Sequence, residues 1–113
     1  MDSEKFSTLR KGLLEFLILG IVSSGRVYVA DMMQRLSATD FATQEGTLYP
    51  LLSKMRRDQL VDYEWQESET GPPRKYYKLA ATGRKQLQAE TRDWNQTAAI
   101  IARFFEVKAE DLP

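Results

Sequence analysis

The chain contains no cysteine and no histidine. Those absences remove thiol and imidazole nucleophiles, disulfides, and structural zinc held by its usual ligands. No nucleophile–base pair or metal-ligand set appears among the remaining residues, so neither an enzyme nor a metal or cofactor is expected. A cysteine-free chain fits a reducing compartment, and the expected location is the cytoplasm. Net charge is missing as well, because 16 basic residues balance 16 acidic ones. A uniform basic field, the usual mark of a nucleic-acid binder, is therefore absent. Long apolar runs are also lacking. Residues 13–22 form a run interrupted by Glu15, well short of the roughly 20 residues that a membrane span needs. No long basic leader precedes that run and no small-residue cleavage site follows it, so neither a membrane partner nor a signal peptide is expected.

What remains is ordinary globular composition, 42% hydrophobic and 28% charged over 113 residues, enough for one small domain with a thin core. The most informative stretch is 44–60. Leu48, Leu51, Leu52 and Met55 recur at the spacing of one helical face, and Leu60 closes the apolar run. The opposite face carries Gln44, Thr47, Ser53, Lys54, Arg56 and Arg57. A buried stripe backed by a donor-rich stripe suits a helix that enters the major groove of DNA; a solvated surface helix would show the same pattern. Pro50 interrupts the run, and its missing N–H leaves the Gly46 carbonyl without a helical partner. A local kink is expected there, and propensity alone would shorten the helix.

Around this stretch the chain divides into four other pieces. A first helix, capped by Ser7 or Thr8 after a frayed segment 1–7, runs to about Val22, and Gly25 takes a left-handed conformation after it. It is apolar on nearly all sides, so one face is expected on its own domain and the other, with Leu13 and Leu17, on a second subunit. The alternative is a single deeply buried core helix. A second helix spans 28 or 29 to 36 with Val29, Met32, Met33 and Leu36 buried, and Phe41 in the following turn is expected in the core. Helix, polar turn, helix is a DNA-binding arrangement.

Beyond residue 60, Val61, Tyr63 and Trp65 alternate with Asp62, Glu64 and Gln66, which predicts a half-buried strand. Residues 76–79 pair back across a turn at 68–73, giving a hairpin with Arg74 and Lys75 at a basic tip suited to the minor groove. Eight of the 16 basic residues lie between 43 and 85, and no acid stands between 71 and 85. That is a local basic footprint despite the zero sum, although cations at a hairpin tip are also common surface chemistry. Residues 80–83 start the last helix, with Thr82 as its expected cap. Leu87, Thr91, Trp94, Ala98, Ile101 and Phe105 then mark a heptad seam, broadened by Ile100 and Phe104. The seam is too short for a free coiled coil and suits a dimer arm. The tail 107–113 has no assignment.

The motif G-T-L-Y-P-L-L, the basic helix end, the strand with Trp65, and P-P-R-K-Y-Y-K-L-A-A-T-G-R-K-Q-L together resemble the PadR family of bacterial transcriptional regulators, from about Leu13 to about Phe105. The resemblance implies a mainly α fold with a small β-hairpin: a winged helix-turn-helix at 8–79 and a C-terminal dimerisation helix at 80–106. It implies a homodimer that binds a pseudo-palindromic double-stranded DNA operator, most often as a repressor. On that reading Gln44, Glu45 and Thr47 read bases, while Tyr49, Lys54, Arg57, Arg74 and Lys75 anchor phosphates. Glu45 serves equally well as a helix-dipole partner, and Tyr49 as a core residue. Three positions depart from the family pattern: Val27 and Gln59 where relatives commonly have glycine, and Ala80 where they usually have a threonine cap. Some relatives bind flat aromatic compounds between the dimer arms against a tryptophan at the position of Trp94, which implies a small aromatic effector here. The alternative is that Trp94 only fills the seam. A winged-helix module that binds protein alone is the third reading, and the zero net charge favours it.

Overall fold

The computed structural model describes residues 4–105, so the tail 107–113 and the first three residues of the segment expected to fray lie outside the described residues. Helix α1 spans Glu4–Val22, strand β1 Val27–Tyr28, helix α2 Val29–Ser37, helix α3 Glu45–Arg57, strands β2 Val61–Gln66 and β3 Arg74–Leu79, and helix α4 Ala81–Phe104. This is a winged helix-turn-helix followed by a long C-terminal helix, mainly α with a small sheet. Helix α1 begins at Glu4, earlier than the Ser7 or Thr8 cap that the sequence suggests. The early start carries Phe6 into the helix, where it is exposed, as is Leu9.

The core forms where three apolar stripes meet one face of the sheet. Ile18, Leu19 and Val22 of α1, Met32 of α2, and Leu48, Leu52 and Met55 of α3 are essentially inaccessible, with Val27, Val61 and Tyr77 closing the cluster. Each fully buried aliphatic side chain contributes on the order of 1.5–3 kcal/mol relative to exposure. Leu13 and Leu17 lie outside this cluster, on the half-buried flank of α1. Phe41 is only partly buried and is not among the core residues, which corrects its expected place: the turn passes over the surface beside Leu14 instead of turning inward.

Pro50 is accommodated within α3. At the other end of that helix, Gln59 adopts φ 62°. Its N–H donates to the Arg56 carbonyl at 3.0 Å, and the N–H of Leu60 donates to the Met55 carbonyl at 2.9 Å. These two bonds are the Schellman closure, which requires a left-handed residue at this position. The sequence departs from glycine here, and the backbone keeps the geometry of glycine.

The sheet has three antiparallel strands in the order β1-β3-β2. The sequence showed no third strand, because two residues, Val27 paired with Tyr77 and Tyr28 paired with Tyr76, are too few for a period to appear. Val27, where a glycine was expected, is buried as the first residue of that strand. The hairpin register runs from Val61–Leu79 to Gln66–Arg74. Burial along β2 fades towards the turn, and Trp65 is 62% exposed, not half-buried. Alternation correctly assigned Trp65 to the face of Val61 and Tyr63, but nothing covers that face so far out.

Ala80 is the N-cap residue of α4 without a side-chain bond, and Thr82 lies inside the first turn, not at the cap. Gly83 explains the close seating of this helix. A Cβ there would stand 1.9 Å from the Leu60 carbonyl oxygen, so only glycine admits the contact. Leu87, half-buried, packs against the same core at the start of the expected seam. The rest of the seam leaves the domain: Thr91, Trp94, Ala98, Ile101 and Phe105 are all exposed.

Candidate nucleic-acid interface

Helix α3 presents its polar side outward because Leu48, Leu52 and Met55 fix its apolar side in the core. Gln44 is the N-cap residue with extended backbone, and its side chain makes no cap bond. Its carbonyl instead accepts from the N–H groups of Thr47 and Leu48, both at 3.0 Å. The side chains of Gln44, Glu45 and Thr47 are exposed and carry no hydrogen bond or ion pair within the described residues. They therefore offer an amide, a carboxylate and a hydroxyl at one helix end, the donor and acceptor types that match base edges in the major groove. Tyr49 is 43% exposed and its hydroxyl has no partner among the described residues. It stands on the wall of a groove shared with Tyr28, Glu45, Trp65, Arg74 and Lys75.

The cations expected to anchor phosphates divide sharply. Arg57 is exposed and without a partner among the described residues. Lys54 donates to Asp58 at 3.1 Å and to Glu15 at 3.5 Å, and the hydrogen bond to Asp58, before the charge of Glu15, raises its pKa. It is tied to its own chain, at a half-exposed site where such pairs are worth little. Arg56 donates through Nε to Asp62 at 3.3 Å and lies over the Tyr63 ring at 4.4 Å.

The wing differs from the expected picture. Arg74 and Lys75 are not at the hairpin tip but are the first two residues of β3. The tip spans 67–73 and carries Glu67 and Glu69 with no cation. Two successive prolines, 72 and 73, supply no N–H, so the ladder closes only at the Gln66–Arg74 pair. Arg74 lies over the Tyr28 ring at 3.9 Å. Lys75 is drawn over Tyr63 at 4.0 Å, with Trp65 and Tyr77 at 5.4 and 5.9 Å. On the opposite face of the sheet, Lys78 donates to Glu64 at 2.7 Å and the Tyr76 hydroxyl donates to the same carboxylate. These two bonds, that of Lys78 foremost, lower the Glu64 pKa, and the carboxylate in turn raises those of Tyr76 and Lys78.

Two residues on this surface were not singled out by the sequence. Tyr28 ends β1, begins α2 and faces the hairpin; the V-Y-V run was the only signal. Trp65 was placed on the wing but read as half-buried. At the far end of the molecule, Trp94 is 45% exposed and borders a groove of about 240 Å³ with Leu13 and Phe16 of its own α1. Among the described residues no helix is long and apolar enough to cross a membrane, and no group of three or more acidic residues stands together as a metal site would require.

Comparison with known proteins gives a consistent result. The profile of the Transcriptional regulator PadR-like family matches residues 18–89. A PadR-like transcription factor from Bacteroides fragilis is 37% identical, with 90% of this chain and 99% of that one aligned at a TM-score of 0.77. A PadR-like transcriptional regulator from Bacillus cereus is 30% identical over 89% of this chain and 99% of its own, at a TM-score of 0.80. A Streptococcus transcriptional regulator is 27% identical over 91% and 98%, at a TM-score of 0.75.

Proposed function

The chain belongs to the PadR family of transcriptional regulators and is not an enzyme, and from that premise we propose that it is a cytoplasmic homodimeric repressor that binds a pseudo-palindromic DNA operator. The observation that carries this reading is the free donor and acceptor set of Gln44, Glu45 and Thr47 at the exposed end of α3, with Tyr49 and the turn end of the wing beside it. Those three read bases; Tyr49, Arg57 and Arg74 grip phosphates. Lys54 and Lys75 join only by giving up partners within the chain. Residues 8–79 form the DNA-binding unit and 80–106 the dimer arm. Exposure of Trp94, Ile100, Ile101 and Phe104 on α4, with Phe105 at its C-cap, supports the dimer, since a large exposed apolar patch of this kind marks an interaction surface. Leu13, Leu17, Thr91 and Ala98 complete that interface.

A genomic-library selection with the purified protein tests the reading. Recovery of one palindromic sequence supports it, and recovery of no duplex sinks it. The groove beside Trp94 favours a second reading in which a flat aromatic effector lies against that ring. Saturable quenching of Trp94 fluorescence by a planar dye in a Trp65→Phe background supports an effector site. Dissociation of the dimer by Trp94→Ala, with no dye bound by the parent, makes the ring part of the seam.

A further inference from the structure

The groove between the start of α2, the first turns of α3 and the turn end of the hairpin encloses about 360 Å³. Tyr28 is its most constrained residue. Its N–H donates to Asp31 at 3.2 Å and its hydroxyl to Gln66 at 2.5 Å. Its ring meets that of Tyr76 edge-on at 6.3 Å, and Tyr76 in turn lies under Arg26 at 4.7 Å. A backbone bond to α2 anchors the residue, and a hydroxyl bond to β2 with a ring contact to β3 holds its side chain. Arg74 rests on the face of that ring at 3.9 Å and makes no ion pair among the described residues. A guanidinium resting over a ring without an ion pair leaves N–H groups free to meet an acceptor. Across the groove stands the unpartnered hydroxyl of Tyr49. Glu45 is the only acid on the wall, against the two cations Arg74 and Lys75.

We propose that this groove seats one backbone phosphate of the operator, with Arg74 and Tyr49 as its donors and Tyr28 as the residue that positions Arg74. The proposal rests on the DNA-binding reading and adds a site within it. A phosphodiester oxygen suits the pair because a planar guanidinium and a phenol both donate to it without deprotonation. The ring platform explains how a wing with an acidic tip still grips the backbone: the gripping cation is the first residue of β3, directly behind the tip, held on the ring of Tyr28 at the start of α2. It also gives Tyr28 a role beyond starting α2, since its ring fixes the guanidinium before DNA arrives and lowers the ordering cost of binding.

The test is a double-mutant cycle on a selected operator, with affinity measured at several salt concentrations. Arg74→Ala and Tyr28→Leu are each expected to weaken binding about tenfold, as loss of a charged hydrogen bond does. Each is expected to lower the salt slope by about one. Tyr28→Phe keeps the platform and binds within a few fold of the parent. The double variant Tyr28→Leu with Arg74→Ala binds no more weakly than Arg74→Ala alone. Multiplying losses in the double variant, or parental affinity for Tyr28→Leu, overturns the positioning role. If Tyr28→Leu fails to fold, Arg74→Lys decides. That variant keeps the charge but loses the planar stack, so it is expected to lose affinity, and parental binding overturns the proposal. A parent protein that binds no duplex withdraws the DNA-binding reading and this site with it. A parent that binds while Arg74→Ala is neutral withdraws this site alone.

Discussion

Replacing Gln59 with glycine is expected to stabilise the protein. Gln59 holds φ 62° because the closure of α3 demands it, and its side chain is exposed. A left-handed conformation costs a residue with a Cβ roughly 1–2 kcal/mol, which glycine does not incur. Glycine loses more conformational freedom on folding, an opposing term of about 0.4–1 kcal/mol. The side chain makes no hydrogen bond among the described residues, so no contact energy is lost with it. The steric term wins by about 0.5–1 kcal/mol. For a domain of this size that raises the melting temperature by roughly 2–8 °C. The assay is thermal unfolding of parent and Gln59→Gly at one fixed protein concentration, because dimerisation makes the midpoint concentration-dependent. A lower midpoint for the glycine variant would refute the strain argument and show that Gln59 makes a contact worth more than its conformation costs.

Two other outcomes follow from the structure. Ile101→Asp places a charge in the exposed strip of α4 and is expected to yield monomer or aggregate by sedimentation; a parental dimer removes the seam assignment. Glu64, whose pKa lies below its ordinary 4.5, contributes stability that is fully present above that value and fades as pH falls through the lowered one. Tyr76 and Lys78, raised above 10.0 and 10.5, contribute stability that is present below those values and is lost as pH climbs past the raised ones. Melting from about pH 3 to 6 should therefore depend less on pH in Glu64→Gln than in the parent; equal slopes contradict the assignment.

Helix α3 was legible because its apolar spacing and its exposed polar residues agree, and both survive in the structure. Which residues of β2 share a face was legible for the same reason. Depth was not: alternation says which face Trp65 takes and nothing about what covers it. Strand β1 is too short to have a period, and it is recognised only by its pairing with β3. The partners of the cations were out of reach because they are remote in sequence. Lys54 meets Glu15 across a separation of 39 residues, and Arg74 meets Tyr28 across the sheet. Charge counting therefore overstated how many cations are free. Gly83 read as an ordinary helix start, and its reason appears only where the Leu60 carbonyl comes within reach. Gln59 is the converse case: the family pattern, with glycine common there, marked the position, and the left-handed φ gives the reason.

The central claim is that the free end of α3 reads base identity. Affinity for the selected operator and for each of its single-base variants, measured with the parent, Gln44→Ala and Thr47→Ala, tests it directly. The expected result is lost discrimination at particular base positions, by about 1–3 kcal/mol for a bidentate contact and less for a single hydroxyl, with preference elsewhere intact. A uniform loss of affinity across all base variants, or none at any, would contradict the account.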